Sequence, residues 1–274
     1  MNPSILHRLT KCWLLFAALW LCWFNVAAQT VAPDREAQCV ARLSAGDEET
    51  RLSALVELAS LFKGRQTARQ ATPATIAAVI QTLQKDAVPV LRTHAARALE
   101  FAAATSATDA LLTSLQTERE ISTRKAIIYA LARNPSAPVT AALIPFLRHK
   151  ETELRATAAY ALAELADTAA ASALHECLVK LRKPQDAFTR AEAARALGRI
   201  GYRVAVPDLL RALEQDAAIV RRAAAEALGW LATPQAQDAL IALQQAAQAE
   251  DPYLRAAATL ALQRINERAL SQTR

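Results

Sequence analysis

A recurring pair of residues limits the possible folds of this chain more than any other feature of its sequence. Seven times, an arginine is followed seven residues later by a leucine, with mostly small apolar residues between them. The pairs are Arg51 and Leu58, Arg92 and Leu99, Arg124 and Leu131, Arg155 and Leu162, Arg190 and Leu197, Arg221 and Leu228, and Arg255 and Leu262. Successive arginines lie 31 to 41 residues apart. Such a period is typical of solenoids, in which each unit buries its apolar face against its neighbours.

Each repeat contains two segments with apolar residues at helical spacing. In residues 204–233, one such segment ends at Asp216 and a second follows it directly, which indicates two helices joined by a turn. If the arginine is position 0, then positions 3, 4 and 7 of the second helix share one face. Position 3 is alanine in six repeats and isoleucine in one, and position 7 is always leucine. We therefore predict an all-α solenoid of about seven two-helix repeats, with this stripe facing inward.

The N-terminal segment has the pattern of a secretory signal. Residues 1–11 are basic and contain no acid, an apolar run follows from Cys12 to Phe24, and small residues precede Gln29. We predict a signal peptide over residues 1–28, cleavage near Ala28, and a periplasmic or secreted chain without stable membrane insertion. The alternative is an uncleaved N-terminal anchor, although the run is shorter than the roughly 20 residues that a spanning helix needs. The solenoid is predicted over residues 34–267, with a C-terminal tail at 268–274.

Cleavage of the signal would leave two cysteines, Cys39 and Cys177, about four repeats apart. At roughly 10 Å for each packed layer of helices, they lie on the order of 40 Å from each other. A disulfide needs Cα atoms within about 7 Å. We expect two buried thiols, and the alternative is an intermolecular bridge through Cys39.

Acidic residues precede the repeated arginines. Asp47, Glu120, Glu151, Asp186 and Asp251 stand four residues before Arg51, Arg124, Arg155, Arg190 and Arg255, whereas Asp216 and Asp86 stand five and six residues before Arg221 and Arg92. A carboxylate there can cap the second helix and can pair with a guanidinium. We therefore predict that each arginine pairs with this nearby acid, in a row that holds the repeats together. The alternative is a row of unpaired cations that binds an acidic partner.

The pattern of an acid, an arginine, Ala-Ala and Ala-Leu-Gly, seen in 186–198 and in part in 218–229, resembles HEAT repeats of the phycobilisome-lyase type. The resemblance covers residues 34–267. It implies a right-handed α-solenoid whose second helices line a concave surface, in a family whose members mostly bind other proteins. Bilin lyases of this type act inside the cell, which conflicts with the predicted signal. Deoxyhypusine hydroxylases of this type bind two irons through several His-Glu pairs, and this chain has one, His175-Glu176.

The sequence lacks the common catalytic motifs. The sequence contains no GxGxxG, GxxxxGKS/T, HExxH, GxSxG or CxxC, and His94, His149 and His175 fall in three different repeats. Without residues 1–28 the chain has 30 Lys and Arg against 26 Asp and Glu, which is a weak excess for a nucleic-acid-binding protein. We therefore predict a non-enzymatic protein that binds no metal, cofactor or nucleic acid.

Positions 1, 5 and 9 of the second helices lie opposite the inward stripe and are expected to face the groove. From these positions we predict a partner-binding set, rich in the residue types that anchor interfaces: Arg97, Phe101, Tyr129, Arg133, Tyr160, Arg195, Arg199, Trp230 and Arg264. The predicted function is an exported, monomeric scaffold or adaptor that binds an acidic or aromatic-bearing protein or peptide through its concave face. Two alternatives stay open: a lyase- or hydroxylase-like enzyme or enzyme subunit, and an envelope structural protein that binds anionic polymers or lipid head groups.

Overall fold

The computed structural model describes residues 35–44, 46–63, 71–233 and 235–272, and every regular element among them is helical. The predicted signal peptide, residues 1–28, lies outside the described residues. Within the described part of the chain, no helix combines the length and the apolar character needed to cross a membrane.

The helices alternate between the first and the second helix of seven repeats, so the predicted all-α solenoid is confirmed. The first helices are α1 (35–44), α3 (Pro73–Lys85), α5 (Thr108–Thr117), α7 (Ala137–Leu143), α9 (Ala171–Lys180), α11 (Val206–Gln215) and α13 (Gln237–Ala246). The second helices are α2 (Glu48–Lys63), α4 (Pro89–Ala102), α6 (Ile121–Ala132), α8 (Thr152–Leu165), α10 (Ala187–Ile200), α12 (Ala218–Leu231) and α14 (Pro252–Gln272). A 3₁₀ segment, Ile144–Arg148, continues α7 up to the turn before α8.

The inward stripe of the second helices is confirmed. Position 3 is fully buried in every repeat, by Ala54, Ala95, Ile127, Ala158, Ala193, Ala224 and Ala258. The leucines at position 7 are also buried, except for Leu262, which is partly buried in the last repeat. Among the described residues no further repeat packs over Leu262, which accounts for its exposure.

The second helices pack against one another along the whole stack, whereas the first helices of consecutive repeats contact each other much less. Small residues permit this close approach. A Cβ atom added to Gly198 would lie 2.8 Å from the Cα of Ala227, and one added to Gly229 would lie 2.7 Å from the Cα of Ala261. The second helices are therefore the more closely packed layer of the stack, which is the layer that the resemblance to HEAT repeats predicts on the concave side.

The repeated arginines join one repeat to the next. Four ion pairs link an arginine to an acid of the following repeat: Arg51 with Asp86, Arg92 with Glu118, Arg155 with Asp186, and Arg190 with Asp216. The prediction that each arginine pairs with the acid just before it is therefore wrong for these four. In Arg155, Nη1 donates to the carbonyl oxygens of His149 (2.7 Å) and Lys150 (2.8 Å) in its own repeat. The other edge of the guanidinium faces the next repeat, where Nε lies 3.0 Å from Asp186 Oδ1.

The other three arginines form no ion pair with a described acid, so the predicted pairing is wrong for them as well, and Asp251 pairs with Arg222 instead of Arg255. Arg124 Nη1 lies 3.1 Å from His149 Nε2, and His149 stands six residues before Arg155, as Asp86 stands before Arg92. Arg221 and Arg255 donate to backbone carbonyl oxygens in their own repeats. The neutral His149 thus replaces the acid at the joint between the third and fourth repeats.

The last helix continues to Gln272 and therefore includes most of the predicted tail, residues 268–274. Arg268 donates from Nη1 to the carbonyl oxygen of Trp230 at 2.6 Å, and from Nη2 to those of Gly229 (2.6 Å) and Ala232 (3.0 Å). These carbonyl groups belong to the C-terminal end of α12, where a cation is favourable. Arg268 therefore belongs to the packed solenoid.

Both described cysteines are free and buried, as expected. Burial raises the pKa of the Cys39 thiol, and it raises that of Cys177 to about 11. An intermolecular disulfide through Cys39 would first require the exposure of a fully buried side chain.

Candidate partner-binding groove

The nine residues of the predicted partner-binding set lie on six consecutive second helices or directly at their ends, and none of them is buried. Because these helices pack side by side, their positions 5 and 9 form a continuous row, which we call the ridge. The ridge contains the nine predicted residues together with Glu164, Glu226 and Leu260. The sequence pattern thus located a continuous exposed surface, and its role in binding stays a prediction.

Position 1 does not face the groove throughout, contrary to expectation. Thr93 and Ala191 occupy this position and are buried. Thr93 Oγ1 lies 2.8 Å from Thr123 Oγ1 on the next second helix, so in this repeat position 1 packs against its neighbour. Lys125, also at position 1, is partly exposed and pairs with Glu153 of the following repeat at 2.5 Å.

Aromatic side chains lie along the ridge in contact with their neighbours. Tyr129 and Tyr160 form an edge-to-face pair with ring centroids 5.6 Å apart. Lys63 Nζ lies 5.7 Å from the ring centroid of Phe101. Such contacts fix ring orientations before any partner arrives, which lowers the entropy that binding costs.

A cleft at the C-terminal end of the ridge, which we call the C-terminal groove, is lined by ridge residues together with Arg222 and Tyr253. Its volume is about 530 Å³, and it is lined mainly by Arg195, Arg199, Arg222, Glu226, Trp230, Tyr253, Leu260 and Arg264. Trp230 is 51% exposed and Tyr253 is 68% exposed. The guanidinium of Arg264 lies 4.3 Å above the Trp230 ring, and that of Arg222 lies 4.6 Å above the Tyr253 ring. Two exposed aromatic side chains are thus held in place by stacked arginines.

Sequence reasoning missed Tyr253 and the exposed Phe188, both of which stand two residues before the repeated arginine. That position is three residues before position 1 and seven before position 5, so it lies on the same face of the helix. Extending the helical period by one turn towards the N-terminus would have included both side chains.

The arginines of the C-terminal groove are mostly paired with acids. Arg195 Nε lies 2.9 Å from Glu226 Oε2, and its Nη1 lies 2.6 Å from Glu192 Oε1. Burial raises the pKa of Glu192, although the charge of Arg195 opposes this shift. Arg199 Nη1 lies 2.6 Å from Glu164 Oε1. The groove is therefore largely charge-balanced, and its exposed aromatic rings are its most distinctive feature.

Near the N-terminal end of the ridge, the arginines are not paired with described acids. Arg97 and Arg133 form no ion pair with a described residue, and both lie close to Glu100. Burial raises the pKa of Glu100, and the two arginines oppose this shift. This end of the ridge is therefore the more favourable one for an acidic side chain.

His175 and Glu176, which form the single His-Glu pair, interact with different residues of the chain. His175 Nε2 lies 2.8 Å from Asp208 Oδ2 on the next first helix. Glu176 pairs with Arg148 and Lys180, and hydrogen bonds from Lys180 and Arg148 lower its pKa to about 2. Among the described residues, no three His, Cys, Asp or Glu side chains are grouped so that they could hold a metal ion.

Comparisons with known proteins agree with this architecture. The family model described as HEAT repeats matches residues 108–184 and 178–263, which together make up more than half of the chain. No curated protein matches the chain.

Solved structures also match the chain. The complex of CpcE and CpcF of phycocyanin lyase from Nostoc sp. contains a chain that is 27% identical, with a TM-score of 0.54 over 70% of this chain and 77% of that one. An engineered protein is 22% identical, with a TM-score of 0.50 over 85% of this chain and 97% of that one. Human deoxyhypusine hydroxylase in complex with glycerol is 22% identical, with a TM-score of 0.36 over 88% of this chain and 99% of that one.

Proposed function

This chain belongs to the HEAT-repeat family, and from that premise we propose that it is an exported, non-enzymatic scaffold or adaptor that binds a protein partner through the concave face of its second helices. The observation that carries the proposal is the pair of exposed rings, Trp230 and Tyr253, held under arginines in the C-terminal groove. Repeat proteins commonly use the concave surface of the solenoid to bind partners.

The side chains of the ridge indicate which residue types a bound partner would carry. Tryptophan, tyrosine and arginine are the residues most often responsible for binding energy in interfaces. The paired arginines of the C-terminal groove favour an apolar or aromatic side chain between the Trp230 and Tyr253 rings. Arg97 and Arg133 favour an acidic residue at the other end. We therefore propose an extended peptide segment with an aromatic anchor and an acidic flank, bound by one copy of this chain.

The likeness to phycocyanin lyase supports the same mode of action. The CpcE and CpcF proteins of phycocyanin lyase form a complex, so a relative of this chain works in a protein–protein assembly. Export rests on the sequence of residues 1–28, with its basic start and apolar run. An exported chain would meet its partner outside the cytoplasm.

Crosslinking of the purified chain to an envelope fraction, followed by mass spectrometry, tests this proposal. The ridge variant combines Arg97→Ala, Tyr129→Ala, Tyr160→Ala, Arg195→Ala and Trp230→Ala. A matched control changes five exposed residues of first helices: Gln81→Ala, Lys85→Ala, Asp109→Ala, Gln116→Ala and Glu214→Ala. A protein captured by the wild type and the control, but lost with the ridge variant, supports the groove. Equal recovery with all three chains contradicts it. Thermal melting of the ridge variant checks that a loss of recovery does not come from unfolding.

A second candidate function is a subunit of a lyase, because the likeness to the phycocyanin lyase complex reaches 27% identity over most of both chains. This candidate predicts that the chain copurifies with a chromophore. A visible absorption band in the purified protein, lost on mutation of the groove, would favour the lyase subunit over the scaffold.

A further inference from the structure

A second cleft of about 520 Å³ lies at the edge of the solenoid where first helices turn into second helices, in the fourth and fifth repeats. Six basic residues line it: Arg148, Lys150, Arg155, Lys180, Arg182 and Lys183. Glu176 and Asp186 are the only acids among the described residues of its lining. We call this the basic cleft, and it shares no lining residue with the C-terminal groove.

The basic cleft concentrates the positive charge of the chain. Its lining has four more basic than acidic residues, whereas all 274 residues together have a formal net charge of +6. Lys150, Arg182 and Lys183 are exposed and form no ion pair with a described acid. Like charges that line one cleft repel each other, so a bound anion would relieve an unfavourable interaction.

The remaining basic residues are held in position by the two acids. Glu176 accepts hydrogen bonds from Lys180 and Arg148, which lower its pKa to about 2. Its carboxylate is therefore ionised at neutral pH and pairs with both cations. Arg155 is fixed by Asp186 and by the carbonyl oxygens of the preceding turn. Arg155 is thus fixed before a ligand binds, which reduces the cost of ordering its side chain.

Cys177 and His149 also line the cleft, and neither of them adds negative charge. Burial raises the pKa of the Cys177 thiol to about 11, so it stays protonated at neutral pH. Burial, together with Arg124, lowers the pKa of His149, so this ring is neutral there. A ligand that enters the cleft therefore meets mainly the positive charges of lysine ammonium and arginine guanidinium groups.

From this geometry we propose that the basic cleft binds compact polyanions that carry phosphate groups, of which a diphosphate is the simplest. The volume of the cleft is within the range of about 300 to 1000 Å³ that is typical of small-ligand sites. One carboxylate would leave most of the cationic excess uncompensated, whereas a diphosphate compensates most of it. Arginine forks and lysine ammonium groups are the usual ligands of phosphate oxygens. A soluble phosphate compound or the head group of a phospholipid with two phosphates, such as cardiolipin, could supply this chemistry.

Calorimetric titration of the purified chain with pyrophosphate tests the proposal, and cosedimentation with cardiolipin vesicles distinguishes the two sources. The cleft variant is Lys150→Glu, Arg182→Glu and Lys183→Glu. The control, with the same change in net charge, is Lys85→Glu, Arg119→Glu and Arg203→Glu, at exposed sites of other repeats. The cleft variant is expected to weaken pyrophosphate binding at least about tenfold, because three charges near the anion are reversed, whereas the control retains it.

Each outcome has a definite meaning. Pyrophosphate binding that is lost only in the cleft variant supports a soluble ligand, and vesicle binding alone, lost only in that variant, supports a lipid head group. The proposal is overturned if neither probe binds, if the control loses binding equally, or if a hexaglutamate peptide binds the cleft more tightly than pyrophosphate. A neutral variant, Lys150→Gln, Arg182→Gln and Lys183→Gln, replaces the first if melting shows that the charge reversal unfolds the chain.

Discussion

Arg190 and Asp216 face each other across the joint between the fifth and sixth repeats, 26 residues apart in sequence. Arg190 Nε lies 3.1 Å from Asp216 Oδ2, and the two side chains are only 5% and 10% exposed. Arg190 Nη1 also donates to the carbonyl oxygens of Leu181 (3.0 Å) and Lys183 (3.1 Å), in the turn of its own repeat. One guanidinium therefore ties the turn of its own repeat to the start of the next second helix.

We expect Arg190→Ala to be strongly destabilising. The substitution leaves the charge of Asp216 without its guanidinium partner in a region with little access to water, and it removes the hydrogen bonds that Arg190 donates to two carbonyl groups. Breaking a buried pair in this way costs about 3 to 5 kcal/mol. Urea-induced unfolding followed by circular dichroism measures the change. The matched control is Arg255→Ala, because Arg255 is exposed and forms no ion pair with a described acid. Its expected effect is below about 1 kcal/mol, and an equally large loss there would show that the link between repeats is not what the arginine contributes.

Low pH should weaken the contact between the second and third repeats. Burial alone would raise the pKa of Glu118, but hydrogen bonds from Arg92 and from the backbone amides of Glu120 and Arg119 outweigh it, and the net shift is downward. A carboxyl whose pKa is lowered by folding stabilises the fold above its unfolded pKa of about 4.5 and loses this contribution as the pH falls through its folded pKa.

The measurement is the melting temperature at a series of pH values from 7 to below the folded pKa. The Glu118→Gln variant should be less stable than the wild type at pH 7, and the difference should shrink as the pH falls below about 4.5. A constant difference across this range would mean that Glu118 does not stabilise the fold through its charge.

The difference between what the sequence predicts and what it misses follows from the geometry of stacking. Burial of Ala158 and Leu162 was predictable, because positions on one face of a helix depend on the helical period alone. The partner of Arg155 was not, because Asp186 belongs to the next repeat and its distance depends on the offset between repeats. The same offset buries Thr93 and brings residues 148–150 close to 180–183. Interactions within a helix are therefore readable from its sequence, and those across a joint require coordinates.

Packing between second helices should be sensitive to volume. Ala224 is fully buried in α12, whereas Ala218 is exposed in the same helix. We expect Ala224→Leu to cost about 1 to 3 kcal/mol, because the larger side chain would push α12 away from its neighbours. Ala218→Leu adds the same atoms at an exposed site and should change stability by less than about 0.5 kcal/mol. Urea unfolding of the two variants gives the comparison, and equal values would argue against close packing of the second helices.

Trp230 offers a direct test of the groove. Of the four tryptophans in the chain, the other three lie within residues 1–28, so a chain cleaved near Ala28 has Trp230 as its single indole fluorophore. The ring is 51% exposed, and a peptide that fills the C-terminal groove would remove water from it. We expect its emission to shift to shorter wavelength when a partner segment binds, and to stay unchanged when pyrophosphate occupies the basic cleft.

The Arg264→Ala variant refines this test. Loss of the guanidinium 4.3 Å above the ring should shift the emission of the free protein to longer wavelength, because the indole becomes more exposed. Partner binding should weaken by about 0.5 to 1 kcal/mol, which corresponds to a Kd about two to five times higher, since a stacked cation contributes that much at exposed sites. The control is Arg211→Ala, an exposed arginine that does not line the C-terminal groove. A partner that binds tightly without changing the Trp230 emission would place its site elsewhere on the solenoid.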